Sequence, residues 1–196
     1  ERFLADPEEY RLAFAKAWYK LTHRDMGPSR NFLGNEVPET VHIWQDPIAD
    51  DTRSSVSDSD VAKLKSAISD AGLSHAELIR TAWGAAASYR ASDKRGGADG
   101  ARIALVPQNG WAVNNPAETD KVVSALKRIQ QNFNANASGN TRVSLADLIV
   151  LAGSAAVENA AESAGFKVSV PFSAGRGDAT QAQTDANSFG LLELHS

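Results

Sequence analysis

Arg80-Thr81-Ala82-Trp83-Gly84 is the stretch whose residue types come nearest to chemistry. A guanidinium stays charged at any working pH and can stabilise a developing negative charge. A base beside it could take up a proton, but the position after Trp83 holds Gly84, which has no side chain to act as one. The bland reading makes Trp83 a core aromatic and Arg80 a surface or buried-pair residue. For present function the bland reading is favoured.

Other candidates are weaker. Residues 93–100 form a glycine-rich, charged loop, but without the Gly-x-x-x-x-Gly-Lys-Ser/Thr spacing of a phosphate loop. Glycines at positive φ, with Arg95 and Asp99 in ion pairs, explain it better. Asp147, three residues after Ser144, reads as a helix cap. Glu158 and Glu162 lie one turn apart and read as a solvated face. Arg176 and Asp178 read as turn ties. His23, His42, His75 and His195 are too scattered for a local metal motif.

Composition excludes several classes. With no cysteine among 196 residues, disulfides, thiolate catalysis and cysteine zinc sites are ruled out. A formal net charge of −4 supplies no global basic field for nucleic acid or acidic membranes. No apolar run approaches the roughly 20 residues that span a bilayer. Glu1-Arg2-Phe3 has neither an initiator Met nor a signal-peptide pattern, and the chain reads as cut from something longer.

The elements that must position these residues are helical. Asp6-Pro7-Glu8-Glu9 predicts a helix start, and Leu12, Phe14, Ala15, Trp18, Tyr19 and Leu21 recur at helical spacing up to Asp25-Met26-Gly27-Pro28. Residues 29–53 read as loop, with a composition break at 49–56. Ser57-x-x-Asp60 opens a helix running to about Ala71, with Val61, Leu64 and Ile68 buried and Gly72 at its end. Ser74-x-x-Glu77 opens another toward Tyr89. An irregular stretch follows to Pro116. A fourth helix covers about 117–134, with Val122, Val123, Leu126, Ile129 and Phe133 inward. The fifth runs from Ser144 to about Ala164. Its Ala152, Gly153, Ala155 and Ala156 predict a central, closely packed helix. Short strands are possible at 168–170. The fold class is all-α with long irregular loops.

Several long blocks carry a resemblance. Residues 14–28, from Phe14 through His23-Arg24-Asp25-Met26-Gly27-Pro28, resemble the catalase-peroxidase family. So do Ile43-Trp44-Gln45-Asp46-Pro47, Ser92-Asp93-Lys94-Arg95-Gly96-Gly97-Ala98 with Gly100-Ala101-Arg102-Ile103, residues 143–153, and Pro171-Phe172-x-x-Gly175-Arg176-x-Asp178-Ala179. Order and spacing agree along essentially the whole chain.

That family is built from two peroxidase-like halves, of which the first binds heme b and the second has lost it. The resemblance implies that residues 1–50 are the last helix and exit loop of the catalytic half, and 51–196 the first part of the heme-less half, an incomplete peroxidase-like copy. The catalytic histidines and the cross-linked Met-Tyr-Trp adduct would precede Glu1. The Arg80 stretch becomes a distal helix whose histidine slot holds Gly84. Ala152-Gly153-Ser154 stands where an Ala-Gly-Asn segment would orient that histidine. Arg24 is then the one accessory catalytic residue, a mobile arginine drawn to the adduct tyrosine when that phenol is ionised. The alternative is that Arg24 merely binds carbonyls at a helix C-terminus.

The implied whole is a cytoplasmic, homodimeric catalase-peroxidase acting on hydrogen peroxide and small electron donors, with no nucleic-acid or membrane partner. This segment would bind neither heme nor metal. From another class comes the competing reading, a non-catalytic peroxidase-fold scaffold or interaction module.

Overall fold

The computed structural model describes residues 1–23, 26–27, 32–40, 42, 45, 48, 50–92 and 94–193. They divide into two compact units, Glu1–Pro47 with Arg90–Arg95, and Ile48–Tyr89 with Gly96–Ser196.

The first unit carries a short helix α1, Arg2–Ala5, and the long α2, Pro7–His23. Asp6 caps α2 as its sequence predicts: its carboxylate accepts the amides of Glu8 and Glu9, both at 3.0 Å. Phe3, Tyr10, Phe14 and Trp18 form a ladder of ring contacts along one side. No residue of α1 or α2 is buried, so this stripe is exposed. On another side of α2, Tyr19 lies against His23 and His42, with ring centroids 4.0 and 5.6 Å apart.

The second unit holds the core. Its helices are α3, Asp58–Ser69; α4, His75–Ala87; α5, Pro116–Asn136; α6, Leu145–Ser163; and the short α7, Ala186–Phe189. Two starts are reciprocal capping boxes, Ser57 with Asp60 and Ser74 with Glu77. Each satisfies two orphan amides with side chains three residues apart, which is why both are legible locally. Pro116 opens α5 at a position where its missing N–H costs nothing. Three 3-10 turns, Arg102–Ala104, Gln108–Gly110 and Ala112–Asn114, order the stretch before it.

Helix α6 is the centre of this unit. Leu148, Ile149, Leu151, Ala152 and Ala156 on it are all buried, packed with Leu64 and Ile68 of α3, Leu78 and Ala85 of α4, and Val122 and Leu126 of α5. Its small residues let α4 come close. A Cβ placed on Gly153 would sit 2.6 Å from the Cβ of Ala82. The possible strands at 168–170 do not form. Among the described residues the chain is helical, with only isolated bridges, one of them joining Gly100 and Asp178. No helix among the described residues is long and apolar enough to cross a membrane.

Candidate functional site

Arg80 leaves α4 and grips Glu118 in the first turn of α5. Its Nε and Nη2 donate to the two carboxylate oxygens, both at 2.6 Å. The hydrogen bond to Glu118 raises the guanidinium pKa further above its usual value. One turn earlier on α4, Glu77 accepts from Lys121 of α5 at 2.5 Å and also caps Ser74. The Lys121 ammonium, with the Ser74 amide and hydroxyl, pulls the Glu77 carboxyl down to about 2. Two surface ion pairs thus bind α4 to α5. With 60% of its side chain exposed, Arg80 is a surface ion-pair residue, as the bland reading expects.

Trp83 overturns half of that reading. It is 74% exposed and belongs to no core cluster. The core-facing side of α4 is set by Leu78, Thr81 and Ala85, and Trp83 falls on the opposite side.

Gly84 sits against the irregular segment. A Cβ there would lie 2.7 Å from Asn114 Oδ1 and 3.2 Å from Ile103 Cδ1. Its carbonyl accepts from Gln108 Nε2 at 3.1 Å, and Asn114 Nδ2 donates to the Gln108 carbonyl at 3.3 Å. The position beside Trp83 is therefore packed against Asn114 and Ile103, and any side chain there would have to displace the Asn114 amide. Ser154 donates its hydroxyl to the Val150 carbonyl of its own helix at 3.1 Å.

Asp147 and Asp178 organise the start of α6 in a way their sequence setting does not reveal. Ser144 caps the helix by accepting the Asp147 amide at 3.0 Å. The Asp147 carboxylate does not return to Ser144, whose amide donates to Ser54 Oγ instead. It is fully buried, accepts the Gly175 amide at 2.7 Å, and pairs with Arg176 at 2.6 Å. A buried carboxylate needs a cation more than a cap, so the capping role assigned to its side chain is corrected. The second cap comes from Asp178, 33 residues downstream of Leu145, whose oxygens accept the Leu145 and Ala146 amides at 2.8 and 2.9 Å. An anion there also meets the positive end of the helix dipole. Gln130 of α5 donates to the same carboxylate at 2.9 Å.

Glu158 is likewise no solvated residue. Both its oxygens accept from Lys65 of α3 at 2.8 Å, and one accepts the Val170 amide at 2.7 Å. Burial pushes its pKa up, but the Lys65 and Val170 hydrogen bonds outweigh burial and leave it lowered.

The glycine-rich loop is structural. Gly96, at φ +78°, would put a Cβ 2.0 Å from the Ser88 carbonyl, which only glycine avoids. Gly100 exchanges backbone hydrogen bonds with Gly177 and Ala179, and Asp99 accepts the Gly177 amide at 3.1 Å. Among the described residues no three His, Cys, Asp or Glu side chains could hold a metal. Arg24 lies outside the described residues.

A profile described as peroxidase matches residues 59–191, and the chain belongs to the peroxidase family. Over its whole length it is 69% identical to a catalase-peroxidase of Shewanella loihica and 67% identical to catalase-peroxidase 2 of Shewanella frigidimarina. A catalase-peroxidase of Pseudomonas syringae pv. tomato is 58% identical over 98% of the chain. The chain spans 26% of the length of the two Shewanella proteins and 25% of the third.

Proposed function

We propose that the chain is part of a bifunctional catalase-peroxidase that decomposes hydrogen peroxide and oxidises small donors with heme b. Its contribution is a heme-less supporting domain, residues 51–196, and one accessory residue, Arg24, on the exit from the catalytic half, residues 1–50. The working enzyme is a cytoplasmic homodimer. The family match begins at Ser59, inside the first turn of α3, which supports a domain start shortly before it.

The observation that carries the supporting role is Gly84. A heme peroxidase site needs a base over the iron, and here the base is absent and Gly84 is packed against Asn114 and Ile103. Ser154 spends its hydroxyl on its own helix. In the second unit the one described histidine is His75, exposed at the start of α4. These residues do not fit a heme, and no step of the reaction is assigned to them.

Arg24 has its basis in electrostatics. A guanidinium keeps its charge at every working pH, whereas a tyrosine phenol titrates near 10. An ionised adduct phenol attracts it and a neutral one does not. In the full-length protein, Arg24→Ala is expected to lower catalase turnover at least tenfold, about 1.4 kcal/mol of barrier, with one-electron peroxidase turnover little changed. Parallel assays of the two activities test this, and an equal loss of both would mark Arg24 as structural.

A further inference from the structure

Helices α3 and α5, with the turn that follows α5, enclose an open groove of about 710 Å³ in the second unit. Its position is independent of the Arg80 stretch. Its walls are built from Leu64 and Ala67 of α3 and Ala125, Ile129 and Phe133 of α5. Leu64 and Ala125 are buried, Ile129 and Phe133 half-buried, and Ala67 is exposed at the mouth. The volume falls within the range of small-molecule sites, which are mostly apolar with a few placed polar groups.

The charges at the mouth are unequal in what they already do. Asp60 is engaged: its carboxylate accepts the Ser57 hydroxyl at 2.6 Å and the Ser57 amide at 3.2 Å, as part of the α3 cap. Lys63 leans on the same carboxylate at 3.4 Å. Arg128 is exposed, lines the groove, and makes no hydrogen bond or ion pair with any described residue. Asn132 and Asn136 of α5 and Ser138 and Thr141 of the following turn complete the lining, so the site combines an apolar side, polar amides and hydroxyls, and an uncommitted guanidinium on its rim. That pairing matches a ligand with an apolar body and one anionic end.

We propose that this groove binds an amphipathic organic anion, its apolar body against Ile129 and Phe133 and its anionic head on Arg128. The test uses the full-length protein with decanoate as probe and decanol as its uncharged counterpart, read by isothermal titration calorimetry. Decanoate is expected to bind saturably at one site per chain, and decanol at least tenfold more weakly. Arg128→Gln should weaken decanoate binding roughly tenfold, the worth of a hydrogen bond to a charged group. Ala67→Trp, at an exposed helical position, fills the mouth and should abolish binding. Lys127→Gln, outside the groove, should leave it unchanged. Circular dichroism melts of each variant show that the fold is retained. Absence of saturable binding overturns the proposal, as does binding that survives Ala67→Trp or is insensitive to Arg128→Gln.

Discussion

At the scale of single residues, the polar side chains of this chain fall into two energetic groups. Arg80 and Glu118 make a bidentate pair, but the arginine is largely in water, where such pairs contribute little. Asp147 has no exposure at all, and Arg176 is its cation. Removing one partner of a buried pair leaves an uncompensated charge or an unfilled polar site. Asp147→Asn is therefore expected to destabilise the fold by about 3 kcal/mol. Arg80→Gln, which breaks only a solvent-exposed pair, should cost far less. Urea unfolding followed by helical circular dichroism compares the two, and similar costs would contradict this ranking. The sequence gives no local hint of it. Ser144 and Asp147 have the spacing of a capping box, and only the burial brought by the segment around Gly175 turns the carboxylate away. Trp83 is illegible for the same reason: an aromatic on an amphipathic helix is expected inward, and its exposure depends on what the rest of the fold places opposite it.

At the scale of elements, the caps and small residues were readable and their partners were not. Ser57 with Asp60, Ser74 with Glu77, and Asp6 act within one turn, so their roles follow from spacing alone. The run of small residues on α6 announces close packing, but not that α4 is the helix it admits. The contact is specific, since a Cβ on Gly153 would meet Ala82 Cβ at 2.6 Å. Gly153→Ala should therefore destabilise by roughly 1–2 kcal/mol, because overpacking outweighs the better helix propensity of alanine. Ala82→Gly in the same protein should recover the steric part, leaving a coupling between the two sites measurable by a double-mutant cycle. Additive effects would mean that the two helices part without strain. Asp178 shows the limit of sequence reading at this scale, for a cap supplied from 33 residues away has no local signature.

At the scale of the molecule, the second unit is a helical peroxidase-family domain packed around α6, proposed above to be a supporting copy without heme. It is held by the core around α6, the Gly100–Asp178 bridge and the cap from Asp178. On that proposal, what is missing is confined to two positions: Gly84 in place of a base, and Ser154 in place of its orienter. The proposal then has chemistry lost without loss of fold, with Gly84 packed against Asn114 and Ile103. The family was readable from long sequence blocks, whereas this packing needed coordinates, since Asn114 is 30 residues from Gly84 and nothing in the spacing joins them. The measurement that tests this account most directly is the heme content of the full-length protein, by pyridine hemochromogen assay against chain concentration. One heme per chain is predicted, unchanged by Gly84→His, because the proposed reading places no iron in this unit for a histidine to serve. Two hemes per chain, or a second heme gained with Gly84→His, would contradict it.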